Sequence, residues 1–170
     1  MILQDILDLN LKHKEKVTKI TEEINKDNEK FKELMELFRS GNDVTKGTCA
    51  EVMKFVSQQT PEVFPQYLEE LIEYINYKAP RVKWGIPEAI GYLARTYPDK
   101  VAKAVPKLLE NTKNKSTVVR WCAAFGLSNI AEYNVKLQDS LLEKFKQIIE
   151  IEQNNGVKNV YLKILNQLKK

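Results

Sequence analysis

The chain has 170 residues, of which 43% are hydrophobic and 29% charged, with six Gly, six Pro, two Cys and one His. That length fits one domain or one short repeat array, and that composition excludes global disorder, a turn-rich β sandwich and a disulfide framework. The net charge of +4 is uneven: residues 61–170 hold 17 basic and 12 acidic residues, and the window Lys78–Arg120 holds 10 basic against 3 acidic. An excess of that kind draws anionic partners, whether nucleic acid or an acidic protein face.

Apolar residues recur with helical spacing nearly everywhere, and alternating strand patterns are absent. Taken in chain order, the breaks predict helices near 2–25, 28–39, 44–59, 62–77, 81–96, 99–113, 117–133, 137–153 and 157–169. The breaks themselves combine stop and start signals, as in Ser40-Gly41-Asn42-Asp43, Lys78-Ala79-Pro80 and Asn154-Asn155-Gly156. No apolar run approaches the roughly 18 residues of a membrane span. The start MILQDILDLNLKHKEK puts acidic residues where a signal peptide would have basic ones, so a cytoplasmic protein is expected.

Sliding the sequence against itself reveals its organisation. A shift of 37 residues aligns Lys46-Gly47-Thr48 with Lys83-Trp84-Gly85 and Arg120-Trp121-Cys122, and it also matches Met53, Ile90 and Leu127. One residue more brings in Lys158. Leu68, Val105 and Leu142 correspond in the intervening helices, as do Leu71, Leu108 and Phe145. A helix pair repeated at this period buries its apolar face against the next pair.

The segment Val119-Arg120-Trp121-Cys122-Ala123-Ala124-Phe125-Gly126-Leu127-Ser128-Asn129-Ile130 resembles the second helix of a HEAT repeat. Val82–Leu93 is similar, and Thr45–Met53 is a fainter copy. The resemblance implies an armadillo-like α-solenoid: all-α, a short right-handed α–α superhelix of about four helix pairs. Residues 28–170 would form the repeats of this single domain, and residues 1–26 an N-terminal capping helix. The Asp usual before the Val-Arg pair is missing at 76–81 and 111–118, so the ladder Lys46, Lys83, Arg120, Lys158 is expected to lack carboxylate neutralisation.

Signatures of catalysis are poor. The glycines are scattered, no His-Glu-x-x-His or Gly-x-Ser-x-Gly occurs, and His13 has no Cys or His partner nearby. Cys49 and Cys122 fall at inward positions, where free Cys acts as a small hydrophobe. No enzyme, metal site or cofactor is expected. Pro87 falls inside a predicted helix and should kink or break it near Lys83–Trp84.

The sharper feature is a stripe on the second helices. The positions after the basic ladder, and four residues on, are Trp84, Glu88 and Tyr92 in one unit and Trp121 and Phe125 in the next, flanked by Lys83, Arg95 and Arg120. Residues i and i+4 share a helix face, and in solenoids of this family the second helices line the concave surface. Apolar patches rimmed by charge mark interaction sites, with Trp and Arg enriched among hot spots. The expected function is a non-enzymatic scaffold that presents this aromatic and basic surface to a protein or peptide. The rival is nucleic-acid binding. Ile86–Val101 is similar to a helix of the HEAT-like alkylpurine DNA glycosylases, which use Trp and Asp in a basic cleft, although neither Trp84 nor Trp121 has an Asp close by.

Overall fold

The computed structural model describes residues 1–169 and is all-helical among them. The helices are α1 (Leu3–Asp8), α2 (His13–Lys26), α3 (Lys30–Ser40), α4 (Asp43–Gln59), α5 (Leu68–Glu73), α6 (Pro80–Leu93), α7 (Pro98–Val101), α8 (Val105–Asn111), α9 (Thr117–Tyr133), α10 (Val135–Ile151) and α11 (Asn155–Gln167). The helices α2, α4, α6, α9 and α11 pack against one another in that order. Each of α4, α9 and α11 also packs against the helix that precedes it. One hydrophobic core runs through the molecule from Leu3 to Ile164.

The second helices start where their caps dictate. Asn42, Ser116 and Asn154 each accept a hydrogen bond from the backbone amide three residues on, at Thr45, Val119 and Val157. A side-chain oxygen at this position satisfies one of the amides that a helix start leaves unpaired. The α6 start has Ala79 followed by Pro80 instead; proline at the first helical position has no amide to satisfy.

The first helices are more broken than the sequence suggests. The helix expected over 62–77 is two 3-10 turns, Pro61–Val63 and Pro65–Tyr67, followed by α5. The one expected over 99–113 is α7, a 3-10 turn at Ala102–Ala104, and α8. Pro65 and Pro106 explain both, since an interior proline removes a backbone donor and collides with the carbonyl four residues back. Pro87 does not break its helix: α6 runs from Pro80 to Leu93 with Pro87 buried inside it.

The N-terminal expectation is corrected as well. Residues 1–26 are not one capping helix. The backbone turns extended at Leu9 and again at Lys12, which separates α1 from α2. Glu15 Oε2 accepts the Lys12 amide at 2.8 Å and fixes the new helix start. These residues therefore form a helix pair of their own, with α2 against α4.

Close approach between second helices rests on small residues. A Cβ placed on Gly85 would stand 2.6 Å from the Ala50 carbonyl oxygen, so glycine is what lets α6 lie this near α4. A Cβ on Gly91 would stand 2.6 Å from the Phe125 ring, so the absence of a side chain makes the space that this ring occupies.

Candidate functional site: the outer face of the second helices

Three consecutive second helices leave one stripe each partly uncovered. On α4 it carries Glu51, Lys54 and Phe55; on α6, Arg81, Trp84, Glu88 and Tyr92; on α9, Trp121, Phe125, Asn129 and Glu132. The spacings of three and four residues put each set on one helix face.

Side chains cross every seam of this face. Between α2 and α4, His13 Nε2 meets Glu51 Oε2, and Arg81 Nη1 approaches the same oxygen at 3.4 Å from the start of α6. Between α4 and α6, Lys54 Nζ lies 3.6 Å from Glu88 Oε2. Between α6 and α9, Cys122 Sγ donates to Glu88 Oε1 at 3.7 Å, and the Tyr92 and Phe125 rings lie 5.0 Å apart. Between α9 and α11, Gln167 Nε2 donates to Glu132 Oε1 at 2.6 Å. The seams are thus charged toward the N-terminus and aromatic at α6–α9.

The aromatic end is the most distinctive part. Trp121 stacks on Phe125 with centroids 5.6 Å apart and planes 13° from parallel. Trp121 is 37% exposed, while Phe125 beneath it is half-buried. Beside this pair, α9 and α11 enclose a cleft of about 320 Å³ lined by Trp121, Phe125, Asn129, Glu132, Lys163 and Gln167. Trp84 sits apart and is half-buried, with the Arg81 guanidinium 5.8 Å from its ring centroid. Its Nε1 is buried and has no acceptor among the described residues.

The flanking cations divide. Arg95 is exposed and Lys83 half-exposed. Arg120 is committed elsewhere: Nε and Nη2 donate to Glu152 at 2.9 and 3.1 Å, and Nη1 donates to the carbonyls of Asn114 and Lys115. The carboxylate expected to be missing from the ladder therefore arrives at Arg120 from the turn before α11. Lys46 is satisfied in a different way, its buried Nζ donating to the Phe38 and Arg39 carbonyls at 2.6 and 2.8 Å.

The basic window is likewise half neutralised. Lys78 pairs with Asp43, Arg81 with Glu51, Lys103 with Glu69, Lys107 with Glu73 and Arg120 with Glu152. All five carboxylates lie outside residues 78–120, because stacked helix pairs bring together residues about 30 positions apart. A charge count along a window cannot register that.

Burial sets the chemistry of the acids and thiols here. It raises Glu88 above the usual carboxylate range despite the opposing pull of Lys54. It pushes Cys49 up to about 12, and burial together with Glu88 raises Cys122 further still. Both are thiols at neutral pH, and a thiol is a poor nucleophile. Among the described residues, no group of three His, Cys, Asp or Glu side chains is placed to hold a metal, and no helix is long and apolar enough to cross a membrane.

The structure brings together Trp121, Phe125 and Tyr92, and places Glu88 with Lys54 beside them. It does not bring Arg120 to the aromatic stripe. Sequence reasoning missed Glu51, Lys54, Arg81, Glu132 and Gln167. A signal for Glu51 was present, because it stands 37 residues before Glu88 in the repeat register. Comparison with protein-family models found no match, and comparison with curated proteins found none either.

Proposed function

We propose that this chain is a non-enzymatic binding scaffold, a short right-handed α–α superhelix of HEAT type that takes a protein or peptide on the outer face of its second helices. The observation that carries the reading is Trp121, a large ring left 37% exposed and stacked on Phe125 at the lip of a cleft. Keeping apolar area in water forgoes roughly 25 cal/mol per Å², and an exposed tryptophan beside a cleft is the composition of a binding hot spot. Glu51, Glu88 and Glu132 interleave with the cations of the same face, which gives a mixed-sign surface suited to a polypeptide. A nucleic-acid groove calls for a continuous cationic track along the backbone.

Capture from cell lysate with and without nuclease tests this directly. The reading expects a protein retained after nuclease treatment and lost from Trp121→Ala. Retention that disappears with nuclease, and falls with a steep salt slope, would instead establish the nucleic-acid reading.

A further inference from the structure

Three carboxylates lie on the outer face of the second helices, and among the described residues only two of them meet a cation. Glu51 meets His13 and Arg81, and Glu88 meets Lys54. Glu132 meets an amide instead, Gln167 Nε2 at 2.6 Å. Arg95, 37 residues before it in the register, is exposed, as is Lys163 in the lining of the same cleft, and neither forms an ion pair with it. The hydrogen bonds around this carboxylate are one-sided. Asn129 Nδ2 donates to the Phe125 carbonyl at 2.8 Å, and Gln167 Nε2 is spent on Glu132. A carbonyl and a carboxylate only accept, so both amide orientations are fixed and both amide oxygens are left over. Ser128, in the same lining, is 7% exposed, and its Oγ has no hydrogen-bond partner. Native proteins satisfy nearly all such groups, with protein, water or a ligand. The cleft of about 320 Å³ between α9 and α11 thus gathers unspent acceptors and a negative charge beside the exposed ring of Trp121, against the single ammonium of Lys163.

We infer that this cleft takes an arginine side chain of the bound polypeptide, which rests on the scaffold reading above and names the chemistry of its partner. A guanidinium is planar and weakly hydrated, and it carries five donors and no acceptor. Its fork of donors matches the acceptors left on Glu132, Asn129 and Gln167. The Trp121 ring is stacked on Phe125 with planes 13° from parallel, which leaves its exposed part to a second planar group. Cations are drawn to the face of tryptophan above other rings. The other occupants fit less well. A lysine ammonium is compact and strongly hydrated, and it has no plane to stack. An apolar side chain would cover Glu132 without a partner, and an acidic one would meet it with like charge. Lys163 is the one lining group that opposes a cation, and being exposed it keeps its ammonium in water.

Titration of the full chain with N-acetyl-arginine amide, followed by amide-proton NMR, tests this, with the citrulline and glutamate amides as comparisons. Citrulline keeps the shape of arginine and loses the charge. At millimolar concentration the arginine probe should shift the signals of Asn129, Glu132, Gln167 and the Trp121 indole saturably, and the other two probes should not. Glu132→Gln keeps an acceptor for Gln167 and should weaken the arginine probe about tenfold, the size of one charge-assisted hydrogen bond, with unchanged far-UV circular dichroism. Lys163→Ser should strengthen the same probe, the opposite sign. An arginine probe that leaves these signals in place, a citrulline probe that binds equally well, or weaker arginine binding in Lys163→Ser would overturn the inference. Lysate capture that still needs Trp121 in those cases would leave the scaffold reading standing without it. Capture indifferent to both Trp121→Ala and Glu132→Gln would remove the reading and the inference together.

Discussion

The Tyr97 hydroxyl donates to the Pro61 carbonyl at 3.1 Å, reaching from the end of one helix pair to the start of that same pair. One register step on, Asn134 Nδ2 donates to the Pro98 carbonyl at the same 3.1 Å. Tyr and Asn have nothing in common as residue types, yet both tie the chain after a second helix to the proline that opens its first helix. Asn134 also caps α10 by accepting the Leu137 amide at 3.1 Å. Tyr97→Phe should therefore cost about 1 kcal/mol, the net value of one hydrogen bond. Asn134→Ala loses a cap as well and should cost about 1–3 kcal/mol. Chemical denaturation checks both, and equal losses would show that the cap contributes nothing.

Leu93 and Leu127 stand at register positions three residues apart on the successive helices α6 and α9, and both are 0% exposed. Truncating either to Ala should cost about 2–5 kcal/mol in chemical denaturation. A loss below about 1 kcal/mol at both would contradict the packing of α6 and α9 described above.

Arg120 is expected to matter for folding more than for binding. Its partner Glu152 has a side chain only 3% exposed, so Arg120→Ala leaves a carboxylate nearly buried without its cation. Breaking such a pair costs about 3–5 kcal/mol, read as a large fall in melting temperature. An unchanged melting temperature would return Arg120 to the binding face.

Two acids whose side chains are largely buried should respond to pH with opposite signs. Burial pushes Glu152 up, but the Arg120 guanidinium and the Asn154 amide outweigh it and hold its pKa below the usual carboxylate value. Its contribution is therefore full above the unfolded pKa and is lost as pH falls through the folded one. Glu88 is raised by burial, so its contribution falls as pH rises from the ordinary carboxylate range through its folded pKa. Glu152→Gln should flatten the acid limb of the stability–pH curve, and Glu88→Gln should remove a decline on the side of rising pH. Identical effects of the two substitutions would refute this assignment of signs.

How much of this was legible follows from where each signal lies. The starts of α4, α9 and α11 could be read because Asn42, Ser116 and Asn154 mark them locally and in register. That Trp121 and Phe125 share one helix face could be read because i and i+4 fix a face whatever surrounds it. The first helices were misjudged where Pro65 and Pro106 outweighed a good apolar period, and α1 was merged with α2 because neither Pro nor Gly marks Leu9–Lys12. The partner of Arg120 was out of reach, since Glu152 lies 32 residues on and meets it only through stacking of the pairs.

The central claim is that the ring of Trp121 is kept at the surface for a partner. Trp84→Phe leaves Trp121 as the single indole, and its acrylamide quenching can be measured before and after adding a captured partner. The account predicts strong quenching in the free protein, with a blue shift and protection on binding. Emission already blue-shifted and unquenchable in the free protein, or quenching that the partner leaves unchanged, would contradict it.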